Sequence, residues 1–454
     1  MMGLTARVAE WAASVSPGSL PPEVAAHIRR LLLDHLGGVI PAAEFPVPRI
    51  VAEYAAVAHP GTEATAIGFG TLAAEGAALV NGTAAHSLEV DDGYTPGSVH
   101  PSAVVFPAVL AAAQRHGAPV DRMLAGATVG IELTCRLAAA GHPATWQNGY
   151  HNTPIAGVMG AAAGVAVVLG ADASGIEQAL GVAASHAGGL FAFLGQDAEV
   201  KRLHAGKAAR DGLASAELAA RGMTGPRGVL EGPHGYFEAL ARGTYDAEKV
   251  TGTLGTEWAL LRTYVKPYPC CRHLHGPIDA ALRLRAEPGF DPAAVTAIDV
   301  GTYPVASRHN AVEVDGFLGA QMSIPYAMSV ALLRGEVGLA EFDEQARALP
   351  EVRKLAEKVT VREDADASAA YPKERPALVT IERTGAAPLR TRIGQPYGEP
   401  DNPVTDQALE DKFRRLCTPI LGEAAADRTV AAVRDLDDLT FLSDLAAPRR
   451  GPRL

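Results

Sequence analysis

Between Asn81 and Ser102 the chain reads N-G-T-A-A-H-S-L-E-V-D-D-G-Y-T-P-G-S-V-H-P-S, which gathers His86, Glu89, Asp91, Asp92 and His100 into one short stretch. Carboxylates and imidazoles are the side chains that move protons near neutral pH. The Ala-rich run before His86 predicts helix. The Gly and Pro residues after Asp92 predict its end, since they cost a helix about 1 and 3 kcal/mol relative to Ala. Three acids and two imidazoles are therefore expected where a buried helix opens into a loop. A solvated loop with a helix-capping acid accounts for the acids, and less well for two histidines bracketing them.

Three further stretches carry candidate chemistry. In G-Y-H-N-T-P (Gly149–Pro154), His151 stands at a helix start, where free N–H groups favour anions and depress an imidazole pKa. A capping or core histidine is the alternative. K-R-L-H-A-G-K-A-A-R-D-G places Lys201, Arg202, His204, Lys207 and Arg210 within three turns of a helix expected to open after about Leu203. Such a basic cluster suits a carboxylate, although a solvated helix face would read the same. V-K-P-Y-P-C-C-R-H-L-H-G-P brings together Lys266, Arg272, His273 and His275 at an apparent domain junction, where ligand sites are common. A proline-rich linker is the alternative there. Cys270 and Cys271 are adjacent, whereas one zinc ion usually takes cysteines two to four residues apart, so no metal is expected. Gly68–Ala73 fits G-x-G-x-x-A, but the preceding residues make too weak a strand for a dinucleotide fold. Thr71 as a helix cap explains the same residues. No nucleophile elbow, P-loop or H-E-x-x-H motif occurs.

The elements that must hold these groups are mostly helical. From about Pro21 to Leu261, apolar residues recur at helical spacing in Pro21–Gly38, Ala103–His116, Arg122–Ala140, Ile155–Leu169, Ser174–Ala187 and Ala205–Arg221. The first of these is expected to begin at its prolines and stop at Gly37-Gly38. Near Lys266 the pattern changes. Val295–Tyr303 and Lys358–Arg362 are β-branched and alternating, Ala377–Ile393 reads as a hairpin around Gly385, and helices at Pro277–Arg285 and Ile324–Leu333 lie between. Helical patterning returns in Asp406–Leu421. The expected architecture is mainly α with a smaller α+β domain: residues 1–265 with 398–454 returning to them, and an α+β domain over 266–397.

With 454 residues, two domains are the prior. The net charge of −11, with no Lys/Arg-rich run beyond a short tail (Arg449, Arg450, Arg453), argues against nucleic acid or an anionic membrane as partner. It leaves room for a small anionic carboxylate held by local cations. Apolar runs such as Ile155–Leu169 fall short of the ~20 residues that span a bilayer. Four cysteines without a C-x-x-C, and an amphipathic N-terminus bearing an acid, lead to the expectation of a cytoplasmic protein with reduced thiols.

Five stretches in order resemble the MmgE/PrpD family: N-G-T-A-A-H-S-L-E-V-D-D…H-P-S, H-N-T-P, K-R-L-H-A-G-K-A-A-R-D-G, V-K-P-Y-P-C-C-R-H-L-H and Q-M-S-I-P-Y-A (Gln321–Ala327). The family includes 2-methylcitrate dehydratase, cis-aconitate decarboxylase and iminodisuccinate epimerase. The resemblance implies a large helical domain, a smaller α+β lid domain, an active site between them, usually a homodimer, and neither an organic cofactor nor a metal. It assigns catalytic roles to His100, His151, Asp91, Asp92, Lys201, Lys266 and Tyr326. His86, Glu89, His204, Arg272, His273 and His275 are then the substrate-binding candidates. Family members often read D-x-D-D-T where this chain has Glu89-Val90-Asp91-Asp92-Gly93. The shared chemistry is proton transfer at carbon beside a carboxylate. A hydro-lyase on a small di- or tricarboxylate is the first expectation, an epimerase of an imino- or aminodicarboxylate or a cis-aconitate-type decarboxylase the alternative, and a non-catalytic carboxylate binder the third.

Overall fold

The computed structural model describes residues 2–16, 18, 20–193 and 198–447, so Arg449, Arg450 and Arg453 lie outside the described residues. The chain divides into two compact units, Met1–Tyr264 with Thr405–Arg453, and Val265–Val404.

The first unit begins with α1 (Leu4–Ser14), α2 (Pro22–Ala42) and α3 (Pro46–Ala58), followed by the short strands β1 (Ala64–Ala66) and β2 (Gly70–Leu72). Next come α4 (Ala74–Ala85), α5 (Ser102–His116), α6 (Val120–Gly141), α7 (Ala144–Gln147), α8 (Asn152–Val168), α9 (Ala173–Ala184), α10 (Val200–Ala220), α11 (Tyr236–Ala241) and α12 (Ala247–Thr251). Every residue of α8 is buried, as are those of α6 from Met123 to Gly141. A helix apolar on all faces belongs in such a core. By length and composition α6 could cross a membrane, yet its most apolar stretch is wholly buried in this unit. Alanine and glycine make the crowding possible. A Cβ on Gly130 of α6 would stand 2.9 Å from the Gly160 carbonyl oxygen of α8, and one on Gly164 would stand 2.5 Å from that of Gly126. The two helices meet backbone against backbone.

The second unit contains α13 (His275–Arg285), β3 (Val295–Thr302), α14 (Pro304–Ser307), α15 (Phe317–Gln321), α16 (Ile324–Arg334), α17 (Glu344–Arg347), α18 (Pro350–Ala356), β4 (Val359–Glu363), α19 (Ala365–Ala370), β5 (Ala377–Arg383) and β6 (Ala386–Ile393). Its sheet has the order β4-β3-β5-β6. β3 runs parallel to β4 and antiparallel to β5, and β5 and β6 form an antiparallel hairpin turning at Gly385, whose φ is +69°. Ile278 and Leu284 of α13, Met328 of α16 and the inward residues Ile298, Val379 and Ile381 share one core. The chain then returns to the first unit as α20 (Asp406–Leu421), α21 (Glu423–Asp435) and α22 (Phe441–Asp444). The architecture is mainly α with a smaller α+β unit.

Three local expectations are corrected. α2 does not stop at Gly37-Gly38 but continues to Ala42. A Cβ at these glycines would lie 3.5 Å from Phe413 and 3.2 Å from Val90, so close packing overrides their weak helix propensity. Thr71 is a strand residue paired with Thr65, and α4 starts three residues later. α10 opens at Val200, well before Leu203, which puts Lys201 in its first turn.

Candidate active site

α4 ends at His86, its C-cap residue, which is fully buried. The chain then turns through Glu89, whose φ of +57° is left-handed and costs a non-glycine residue about 1–2 kcal/mol. Glu89 is buried and ion-paired with Lys201 in the first turn of α10. This pairing offsets the backbone cost and fixes the lysine. Next to it, Asp91 Oδ2 accepts from His86 Nδ1 at 2.7 Å and lies 3.3 Å from His100 Nδ1. His100 Nδ1 also donates to the Asp92 carbonyl oxygen at 2.6 Å. Both neighbours of that nitrogen are acceptors, so it carries the hydrogen and Nε2 is the basic atom.

The Asp92 side chain faces the other way. Its oxygens accept from the Ser102 hydroxyl at 2.8 Å and the Ser102 amide at 3.3 Å, where α5 begins. Burial, reinforced by the nearby Asp34 carboxyl, raises its pKa well above the usual aspartate range. Asp92 thus anchors the loop to α5, while Asp91 orients imidazoles. The first turn of α8 holds the same loop. The Thr153 hydroxyl accepts from the His100 amide at 3.2 Å, and Asn152 Nδ2 donates to the Gly97 carbonyl at 2.7 Å. At Gly93 a Cβ would lie 2.3 Å from the Tyr264 hydroxyl, so the tyrosine fills the space a side chain would need.

Four imidazoles form a row. The ring centre of His86 lies 5.1 Å from that of His100 and 5.7 Å from that of His151. His151 Nδ1 is 3.1 Å from His204 Nδ1, one donating and the other accepting. The segment at Gly149–His151 pairs with Gly189–Phe191, which sets His151 as the N-cap residue of α8, and Phe191 and Phe193 pack on its ring. Burial lowers His86 to about 3 against the opposing charge of Asp91. Burial, then the neighbouring His86, holds His151 well below the ordinary range. Burial and Lys207 bring His204 to about 4. These three rings are neutral at pH 7 and can act as hydrogen-bonding groups or bases. An open cleft of about 470 Å³ elsewhere in the unit is lined by Glu63, Thr65, Gln114 and Asp438 and includes none of these groups.

A stability profile follows. Neutral buried histidines must take up protons when the chain unfolds below their unfolded pKa of ~6.5. His35, lowered to about 3 by burial, and His27, lowered to about 4 by burial, add to His86, His151 and His204. Asp34 and Asp92, both raised, act in the opposite sense but are fewer. Stability is expected to fall as pH drops from ~6.5 towards ~4, by up to about 4 kcal/mol per pH unit where the net uptake reaches three protons. Urea denaturation at pH 7, 6 and 5 measures this, and a flat profile would contradict neutral buried rings.

In the second unit, Lys266 is buried, as are Arg272 and His275. Arg272 donates to Glu399 at 2.9 Å, to His275 Nδ1 at 2.8 Å and to the Tyr397 carbonyl at 3.1 Å. His273 Nδ1 lies 2.7 Å from the Tyr303 hydroxyl, and burial, then Arg375, holds its pKa well below the ordinary range. The Tyr326 hydroxyl donates to the Glu341 carbonyl at 2.6 Å, its amide is capped by Ser323, and burial raises its pKa. The structure therefore brings His86, Glu89, Asp91, Asp92, His100, His151, Lys201 and His204 together in the first unit. Arg272 and His275 form one network of the second, His273 sits with Tyr303, and the Tyr326 hydroxyl is bonded to Glu341.

Several residues of these sites were missed by sequence reasoning. Lys412 of α20 donates to Asp34 of α2 at 2.6 Å and to the Val90 carbonyl at 2.8 Å, directly behind the loop. Asp34-His35 interrupts the apolar run L-L-L-D-H-L, a visible signal for a buried polar pair. His309, 3.8 Å from Cys271 Sγ, comes from 38 residues away, and no local pattern announces it.

Comparison with known proteins places the likeness along nearly the whole chain. Sequence profiles described as the MmgE/PrpD N-terminal domain and the MmgE/PrpD C-terminal domain match residues 6–248 and 268–438. Among curated relatives, a cis-aconitate decarboxylase of Aspergillus terreus is 27% identical over 98% of this chain and 95% of its own. The human cis-aconitate decarboxylase is 28% identical over 96% and 92%. The cis-aconitate decarboxylase-like protein oryM of Aspergillus oryzae is 26% identical over 98% and 96%.

Proposed function

Because the chain belongs to the MmgE/PrpD family, we propose that it is a lyase acting on a small di- or tricarboxylate by proton transfer at the carbon beside a carboxylate. The observation that carries this reading is His100, held through Nδ1 by Asp91 and the Asp92 carbonyl so that Nε2 is its basic atom, in the same unit as Lys201. His100 Nε2 takes the proton from carbon. The electron pair moves into the adjacent carboxylate, which becomes enediolate-like, and Lys201 supplies positive charge as that charge develops. Expulsion of a β-hydroxyl then gives an alkene, the hydroxide leaving as water with a proton returned from an acid group.

Dehydration of a 2-methylcitrate- or aconitate-type substrate is the first reading, because His100 is oriented with Nε2 as its basic atom, the group a step that begins with proton abstraction needs. Decarboxylation is the second, supported by the names of the relatives. There CO₂ leaves first and the resulting carbanion is protonated. Lys266 of the second unit is proposed as a further carboxylate-binding cation.

Proton NMR in D₂O of the purified protein with citrate, 2-methylcitrate, cis-aconitate, malate-type hydroxy acids and iminodisuccinate tests the reading. An olefinic or hydrated product supports the hydro-lyase, and itaconate supports the decarboxylase. Deuterium uptake without net conversion would replace both with epimerisation. Saturable ligand stabilisation with no turnover across the panel would replace them with a binder.

A further inference from the structure

The second unit carries a trio of ligating side chains that the proposed reaction does not use as a set. Cys271, His273 and His309 each offer one donor atom, and these atoms lie within 4.8 Å of one another. We propose that the three form a binding site for a zinc-like transition-metal ion. The reading stands apart from the reaction proposed above, since it concerns occupancy by a metal and not turnover.

The separation of the sulfur from one of the two nitrogens is close to what such an ion requires. Zn–S and Zn–N bonds of about 2.3 and 2.0–2.1 Å at a tetrahedral angle put sulfur and nitrogen about 3.6 Å apart. Cys271 Sγ and His309 Nε2 are 3.8 Å apart. The outer contacts orient the rings as well. His309 Nδ1 donates to the Met322 carbonyl at 3.0 Å, which leaves the Nε2 lone pair directed towards the sulfur. A ligating histidine almost always makes such a second hydrogen bond. His273 is held through Nδ1 by the Tyr303 hydroxyl at 2.7 Å, and Tyr303 is itself stacked on Tyr371 with ring centres 4.3 Å apart. The rings of His273 and His309 lie 5.5 Å apart and 24° from parallel.

The backbone supports the same arrangement. The Cys271 amide donates to the Gln321 carbonyl at 3.0 Å, and the His309 carbonyl accepts from the Ile324 amide at 2.9 Å, where α16 begins. Three separate segments of the unit thus fix the donors before any ion arrives. All three side chains are only partly buried, so an ion can reach them. One thiolate with two imidazoles suits Zn²⁺, Co²⁺ or Cu⁺ and does not suit Mg²⁺ or Ca²⁺, which take oxygen ligands. Binding displaces the Cys271 proton to solvent. Three protein ligands leave a fourth position for water or a carboxylate oxygen. Lys266, Arg272 and Arg375 act on His273 and oppose a cation, so the thiolate is the ligand that makes the site possible. The adjacent Cys270-Cys271 pair argued against zinc on spacing. His309 removes that objection, because the trio needs only one of the two cysteines.

The test is titration of chelator-treated full-length protein with Co²⁺, followed by near-ultraviolet absorption and displacement with Zn²⁺. One equivalent of Co²⁺ with a thiolate-to-cobalt charge-transfer band is expected. Cys271→Ser should abolish the band, and His309→Ala should weaken binding at least ten-fold. His86, Asp91 and His100 also place their donor atoms within 4.8 Å, but that trio has no sulfur. His100→Asn should therefore leave the band intact. Absence of a band, or binding unchanged in both Cys271→Ser and His309→Ala, overturns the proposal. Circular dichroism verifies that each variant is folded. If a variant is not, iodoacetamide labelling of the wild-type protein decides: Zn²⁺ should slow alkylation of Cys271 at least ten-fold, and equal labelling with and without Zn²⁺ overturns the site.

Discussion

His100→Asn is expected to lower kcat by about 10²–10⁴-fold, the range a positioned general base contributes, with a much smaller change in KM. The asparagine amide can still donate to the Asp92 carbonyl that now holds His100 Nδ1 at 2.6 Å, so the loop has no reason to collapse. What disappears is the second ring nitrogen, the atom assigned to take the proton. Among the four imidazoles, His100 has 17% of its side chain exposed, whereas His86 is fully buried. A substrate reaches the first more readily than the second. Steady-state kinetics on whichever panel substrate turns over, together with the rate of solvent deuterium exchange, checks this. A loss below ten-fold in both would remove His100 from the proton-transfer step and pass the role to His151.

The largest expected effect on stability comes from Lys412→Met. Lys412 is buried and donates to Asp34, itself 2% exposed, and to the Val90 carbonyl. Burial raises the Asp34 pKa and Lys412 opposes that rise. Removing one partner of a buried pair leaves an uncompensated charge or forces a proton onto it, at a cost of about 3–5 kcal/mol. At roughly 2–4 °C per kcal/mol, the melting temperature should drop by on the order of 10 °C. Adding Asp34→Asn should recover a substantial part, since the charge that needed a partner is gone. Urea and thermal denaturation of the two variants check the pair. A single-variant loss below ~1 kcal/mol would mean that Arg30, which also acts on Asp34, carries the carboxylate alone.

How much was legible in the sequence varied with the range of the interactions. The Asn81–Ser102 stretch was readable because its groups are close in the chain, although α4 ends at Ala85, ahead of the Gly and Pro residues after Asp92 that predicted its end. The helices of the first unit were readable because all-round apolar segments have few other places to go. The ends of elements were less so. α2 runs through Gly37-Gly38 because Phe413 and Val90 pack there, and both come from distant segments. The division of labour between Asp91 and Asp92 was invisible as well. Adjacent residues of one type differ only in which neighbours they meet, imidazoles in one case and Ser102 in the other. Lys412 and His309 lie far along the chain from what they touch, and nothing in their local patterns distinguishes them from surface residues.

The backbone contact between α6 and α8 sets terms for how this protein could diversify. At Gly126, Gly130, Gly160 and Gly164 even a methyl group would collide with the opposite helix. His151 is the N-cap residue of α8, so the position of one imidazole is tied to a crossing that cannot be adjusted in small steps. A lineage seeking a new substrate has little to gain from mutating that crossing, since almost every change there would break the scaffold first. The accessible variation lies in the segments leading out of α4 and into α10, where Glu89, Gly93 and Lys201 are set by pairings that can be exchanged two at a time. A laboratory library aimed at altered specificity should be concentrated there, with the four glycines held fixed.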